Sequence, residues 1–110
     1  MLQITSVTIP AGQQNSSVCD TGITQVVAVY IKSDVILDNG DNVAFSGSFD
    51  GQEFYPIVDA TGQSLNTNLS PGYYATIEPS SSYALPRFIQ LAYNATESSA
   101  FDIYIVTREV

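Results

Sequence analysis

The chain contains no histidine and no tryptophan, and only one cysteine. Its basic side chains are three: Lys32, Arg87 and Arg108. Without histidine it lacks the usual general base at neutral pH, the Ser–His and Cys–His nucleophile pairs, and most transition-metal sites. Cys19 has no partner for an internal disulfide. Its neighbours Val18 and Asp20 supply no cation to favour a thiolate, so it reads as a small apolar residue at a strand. Three cations against eleven acids give a net charge of −8. That balance cannot neutralise a run of phosphates, so nucleic acid is excluded as a partner. An anionic membrane surface is disfavoured on the same ground. No run of about 18 apolar residues offers a bilayer span. Met1 to Pro10 has neither the basic start nor the long apolar stretch of a secretory signal, and the expected place of synthesis is a cytoplasm. No GxGxxG and no Gly-Lys-Ser/Thr phosphate loop occurs.

Charged residues make up 13% of the chain, and hydrophobic residues 45%. The second figure is too high for a disordered tail. The first means that Ser, Thr, Asn and Gln make most of the polar surface, which favours contact with other proteins. A length of 110 residues fits one domain over residues 1–110. β-branched and aromatic residues dominate the apolar stretches, and turn residues interrupt them at short intervals. Gln3 to Ile9 reads as a strand with Val7 and Ile9 on one face, closed by Pro10-Ala11-Gly12. Asn15 to Cys19 reads as a short edge strand. The run Gln25 to Ile31 suits a central strand covered on both faces. Asn39-Gly40 predicts a tight turn in left-handed conformations. In Asn42 to Phe49, the residues Val43, Phe45, Gly47 and Phe49 share a face, and Asp50-Gly51 turns into Glu53 to Val58. Pro56 marks that segment as an edge or a bulge. Ser64 to Leu69, Tyr73 to Ile77, Arg87 to Tyr93 and Phe101 to Thr107 follow. Glu78 to Ser82 is a polar connection, and single helical turns are expected at most near Ser80 to Tyr83 or Thr96 to Ser99. The class is all-β: an antiparallel β-sandwich or jelly roll of about eight short strands.

Candidate chemistry is sparse. Asp50 and Asp59 flank one hairpin and could approach each other as a pair for carboxylate acid/base work, but each sits in a turn that explains it. Asp34, Asp38, Asn39, Asp41 and Asn42 offer oxygen ligands without the spacing of an EF-hand, and read as a solvated turn. The sequons at Asn15, Asn68 and Asn94 are chance products of an Asn/Ser/Thr-rich chain. No cofactor, metal or catalytic residue is assigned. Seven Tyr and five Phe mostly occupy alternating strand positions and suit core packing. Tyr-Tyr at 73–74 places one ring inward and one outward. Tyr30, Tyr73, Tyr74 and Tyr104 are candidate partner contacts, because Tyr is enriched at interfaces.

Two stretches carry a resemblance. One is Ile9-Pro10-Ala11-Gly12-Gln13-Gln14-Asn15-Ser16-Ser17. The other runs Phe45-Ser46-Gly47-Ser48-Phe49-Asp50-Gly51-Gln52-Glu53-Phe54-Tyr55-Pro56-Ile57-Val58-Asp59, and the chain ends in a strand closing with Thr107-Arg108. This pattern resembles a group of small virion proteins of tailed bacteriophages. The group's Ser-x-Asp-Gly-x-x-Phe element maps onto Ser48, Asp50, Gly51 and Phe54 and implies a fixed hairpin. The aromatic-proline element of the group is missing between Ile31 and Asp41. The resemblance implies a non-enzymatic structural protein that decorates and cements the capsid exterior, with the major capsid protein and itself, as a homotrimer, for partners. A neck or tail component and a carbohydrate-binding tail or fibre module are the alternatives. Residues 1–17 are a candidate contact arm, with Ile9, Pro10, Gln13 and Gln14 as candidate contacts and an ordinary edge strand as the alternative.

Overall fold

A computed structural model describes residues 2–22, 24–40, 42–58, 61–76 and 87–109. The strands are β1 (Leu2–Ile9), β2 (Cys19–Asp20), β3 (Thr24–Tyr30), β4 (Asn42–Ser48), β5 (Tyr55–Pro56), β6 (Asn66–Asn68), β7 (Tyr74–Thr76), β8 (Phe88–Tyr93) and β9 (Phe101–Glu109). They build two antiparallel sheets. One has four strands in the order β1-β9-β3-β7; the other has five, β2-β8-β4-β5 with β6 also paired to β4. The protein is a β-sandwich, as the residue pattern predicts, with no helix among the described residues.

The pairing is nested. β1 pairs with β9, β2 with β8, β3 with β7, and β4 with both β5 and β6. This is one long hairpin whose successive pairs roll onto alternate sheets, and β3·β9 and β4·β8 then complete each sheet. Such connectivity is that of a jelly roll. Alternation along the strands supplies the core: Val7 and Ile9 from β1, Val43 and Phe45 from β4, Ile89, Leu91 and Tyr93 from β8, and Phe101, Ile103 and Ile105 from β9 join one buried cluster. Each such aliphatic or Phe side chain contributes about 1.5–3 kcal/mol on burial.

The continuous apolar run of β3 has a local cause. Its register on β9 shifts between Val26 and Ala28, so a bulge inserts one residue and changes which parity points inward. Val26, Val29 and Ile31 are therefore all in the core although their spacing breaks strict alternation. Pro56 lies on β5, an edge of its sheet, where its missing N–H costs no ladder bond. Ser70-Pro71-Gly72-Tyr73 closes with Tyr73 N–H on the Ser70 carbonyl at 3.1 Å and Gly72 at φ +85°, a type II turn.

Several expectations are corrected. Gly40 has no positive φ. It is needed for close approach, because a Cβ there would fall on Asn94 Oδ1 and within 3.0 Å of Ala95 Cβ. Residues 96–99 form no helical turn, with bends at 98–99 only, and Glu97 is turned inward to bind the 38–39 backbone. Asn15 makes one isolated bridge to Ala92, and the strand there is only Cys19–Asp20. Phe49 leaves the inward face and is 87% exposed, because β4 ends at Ser48 and the turn begins. Tyr73 and Tyr74 are both exposed, at 73% and 70%, because Tyr73 still belongs to the preceding turn. Ile77, the 78–82 connection and the turn expected at 80–83 lie outside the described residues.

The amino-terminal segment is built into the sandwich. β1 pairs along its length with β9. The following residues strap onto β8 and its exit: Gly12 N–H donates to Glu97 O (2.8 Å), Ser16 N–H to Leu91 O (2.9 Å), and Tyr93 N–H to Gln14 O (2.7 Å). Edge strand, not detached arm, is what these bonds describe. Ile9 is 1% exposed in the core and offers no side chain to a partner, whereas Pro10, Gln13 and Gln14 lie on the surface.

Candidate functional site

The outer face of the β1-β9-β3-β7 sheet collects the tyrosines. Register sets them in rows. Ser6 of β1 lies opposite Tyr104 of β9, Tyr104 opposite Tyr30 of β3, and Tyr30 opposite Tyr74 of β7. In the next row Ile4, Val106 and Ala28 stand side by side. Alternation sends these residues to the outer face because their neighbours Val7, Ile103, Ile105 and Val29 point into the core, although Ala28 and Val106 are themselves buried there and only Ile4 of that row is exposed. Tyr30 stacks on Tyr104 with centroids 5.1 Å apart and meets Tyr74 edge-on at 4.8 Å. Lys32 Nζ lies over the Tyr104 ring, 5.2 Å from its centroid. Hydrogen bonding to the Tyr104 side chain, then the charge environment of that group, raises the Lys32 pKa and keeps the ammonium charged.

Three of the candidate contacts, Tyr30, Tyr74 and Tyr104, are thus one continuous aromatic group. Tyr73 adjoins it across a groove of about 450 Å³ lined by Tyr30, Lys32, Asp34, Tyr73 and Tyr74 among others. A second groove of about 650 Å³ continues past Tyr104 to Asp34, Asp38, Asp102 and Glu97. Pro10, Gln13 and Gln14 belong to the strap along β8 and do not join the tyrosines.

The opposite sheet presents different chemistry. Along its outer positions Asn42 pairs with Asn68, Ala44 with Ala92 and Asn66, and Ser46 with Gln90 and Pro56. At one end Arg87 grips Asp20 through Nε–Oδ1 at 2.8 Å and Nη2–Oδ2 at 2.9 Å. This pairing, with the Gly22 N–H behind it, holds the Asp20 carboxyl down at about 2. Arg87 is thereby engaged on the polar side, while Lys32 and Arg108 sit on strands or exits of the aromatic sheet.

Asp50 has a structural task. Its Oδ1 accepts from Gln52 N–H (2.9 Å), Ser48 Oγ (2.8 Å) and Glu53 N–H (3.1 Å). These bonds, Gln52 first, lower its pKa to about 2. Ser48 Oγ in turn accepts from the Asp50 and Gly51 N–H groups, so Ser48, Asp50 and Gly51 lock the hairpin. Asp59 and Asp41 lie outside the described residues. In the 34–42 segment, Asn39 Nδ2 donates to Thr96 O and Glu97 Oε2, and Asn42 Nδ2 to Asn68 Oδ1. Cys19 is buried, and burial followed by the Asp20 charge pushes its thiol up.

No family model, no curated protein and no solved structure matches this chain.

Glu97 is the residue that sequence reading passed over. It is 6% exposed and accepts from Asp38 N–H (3.2 Å), Asn39 N–H (3.0 Å) and the Tyr93 hydroxyl (2.9 Å). Tyr93 also reaches the Gly40 carbonyl. Burial pushes the Glu97 carboxyl up, and the bonds from Asn39, Asp38 and Tyr93 more than reverse it, leaving it below its ordinary value. It clamps the 38–40 loop to the β8 exit and floors the larger groove. Its only local signal was an acid set among small polar residues, which any surface loop shares. The exposed cluster of Phe49, Tyr55 and Val58 beside Pro56 was also missed, because alternation assigned Phe49 inward.

Proposed function

We propose that this chain is a non-enzymatic virion protein of a tailed bacteriophage, decorating and stabilising the capsid exterior, with the major capsid protein as its partner. The observation that carries this reading is the contrast between the two outer faces. One is aromatic and aliphatic around Tyr30, Tyr74 and Tyr104; the other is built from Asn, Ser, Gln and Ala along β4, β6 and β8, with exposed apolar side chains at its β4–β5 hairpin, at Phe49, Tyr55 and Val58. Burying tyrosine at a protein contact gives large area at low conformational cost. Cement of this kind works by covering apolar surface across subunit boundaries, against the outward pressure of packaged DNA. A net charge of −8 suits the outside of the shell better than its DNA-lined interior. Jelly rolls are common among viral capsid proteins, an analogy of fold and not of site.

The test is the copy number of this chain in purified virions, measured by quantitative mass spectrometry against the major capsid protein. Near parity is the expected result. A small fraction of parity would move the chain to the neck, tail or fibres, and absence from the particle would remove the structural role.

One observation favours a second reading, a carbohydrate-binding module. Tyr73 and Tyr74 are exposed beside Lys32 and Asp34 in the smaller groove, and ring faces with flanking polar groups suit a sugar. Glycan-array binding that is lost in Tyr73→Ala and Tyr74→Ala would favour it over the shell reading.

A further inference from the structure

The strand edges of this sandwich are unequal. β2 and β5 have two residues each, β5 contains Pro56, β6 has three, and β7 is described over three, Tyr74–Thr76. Shortness and proline are the usual guards against edge-to-edge pairing. β1 has eight residues in unbroken register with β9 and carries no charge, no proline and no bulge. Its far side is covered by no strand among the described residues.

The hydrogen-bonding phase of that edge can be read from its end. Thr8 O accepts from Ser17 N–H at 3.3 Å, and Thr8 N–H points to Ser17 Oγ at 3.4 Å. Both backbone groups of Thr8 therefore face away from β9. In an antiparallel ladder this alternates with period two, so Leu2, Ile4 and Ser6 likewise direct their N–H and C=O groups to the open edge. The same residues carry the outward side chains, and Leu2 and Ile4 are each 60% exposed.

We propose that this edge pairs with the same edge of a second copy, antiparallel about a two-fold axis through Ile4. Two conditions select the register. The two cores must lie on the same side of the joined sheet, and the open N–H and C=O groups must meet. Pairing Ile4 with Ile4 of the second copy, and Leu2 with Ser6, meets both, and each pair exchanges its two N–H···O=C bonds. The Ile4, Val106 and Ala28 row then runs on without a break into its counterpart. No like charges come opposite each other: β1 has none, Arg108 lies across from Leu2, and Asp102 lies across from Thr8, beyond the paired segment. For a chain of net charge −8, an uncharged edge is where a second copy meets least repulsion. An isologous pair closes at two copies, so it gives a dimer and not the trimer that the phage resemblance implies. It is independent of any attachment to a shell, since it is read in solution on the isolated protein.

Sedimentation of the full chain should show a concentration-dependent dimer, and Ile4→Lys, which sets two ammonium groups opposite each other, should be monomeric, with the melting temperature that the wild type has when dilute enough to be monomeric and without the wild type's rise with concentration. A cysteine pair gives a readout independent of stability. Paired residues lie about 5.5 Å apart between Cα atoms, within disulfide reach. Ile4→Cys should therefore oxidise to a linked dimer and Leu2→Cys should not, while Leu2→Cys with Ser6→Cys should link again. Buried Cys19 stays out of the exchange. Amide exchange by NMR adds the phase: Leu2, Ile4 and Ser6 should be protected in the dimer and open in Ile4→Lys, with Gln3, Thr5 and Val7 protected in both. A wild-type monomer at all concentrations, a trimer, an assembly that survives Ile4→Lys, or Ile4→Cys linking no better than Leu2→Cys would overturn the proposal.

Discussion

Gly40 and the aspartates show how single residues acquire their roles from neighbours far along the chain. At Gly40 the requirement is space, since Asn94 Oδ1 and Ala95 occupy the position a Cβ would take. Gly40→Ala should cost about 1–3 kcal/mol by overpacking, read as a lower midpoint in urea unfolding. Asn-Gly in the sequence suggested a left-handed turn, but the crowding comes from residues more than fifty positions away, which no local pattern displays. Asp20 and Asp50 are both held at about 2, against an ordinary 3.8, by Arg87 and by Gln52 and Ser48 respectively. A carboxyl whose folded value is depressed stabilises the fold fully above its unfolded value, and that stabilisation is lost as pH falls through the folded value. Melting temperature should thus decline between about pH 4 and about pH 2. Asp50→Asn should make the decline shallower in that window while leaving the Asp20 contribution in place, which a thermal melt series across pH will resolve.

Elements were legible where one face is buried and the turn chemistry is local. The alternation in β8 and β9, the edge position of Pro56 and the Asp50-Gly51 turn all read directly from residue order. The β4–β5 hairpin carries its own instructions, because Ser48 Oγ accepts from Asp50 and Gly51 N–H groups and Ser48 is 3% exposed. Ser48→Ala should leave those donors without their partner at a cost of about 1–2 kcal/mol, and amide exchange should rise at Asp50 and Gly51 before it rises in β8. The bulge in β3 and the irregular path of residues 96–99 were not legible. A bulge depends on which residue of β9 stands opposite, and Glu97 turns inward toward donors from the 38–39 backbone, the Asn39 side chain and the Tyr93 hydroxyl. Pairing partners are likewise invisible to periodicity, which says that a strand has a buried face and nothing about which strand lies beside it. The nested order of β1 with β9 through β4 with β6 had to come from the fold, and with it the convergence of Tyr30, Tyr74 and Tyr104 from three separated strands.

At the scale of the whole molecule, the two sheets share a core but diverge outside, and this would separate stability from the proposed attachment. Phe45 is fully buried in the common core. Phe45→Ala should cost about 3–5 kcal/mol, and any loss of binding it causes would follow from unfolding. Tyr74 is 70% exposed at the edge of the aromatic group, and among the described rings it touches Tyr30. Removing an exposed side chain of this kind usually changes stability by less than about 0.5 kcal/mol, with up to about 1 kcal/mol more from the edge-on ring contact. If the aromatic sheet face is what meets the shell, Tyr74→Ala should leave the protein folded at growth temperature yet lower its occupancy on virions. Ala44→Ser, at a matching position on the polar sheet, should leave occupancy unchanged. Occupancy is measured by mass spectrometry on particles assembled with each variant, alongside the melting temperature of the isolated protein. A Tyr74→Ala variant that decorates particles as fully as the parent would assign attachment to another surface, with the exposed Phe49, Tyr55 and Val58 cluster at the opposite sheet's hairpin as the next to substitute.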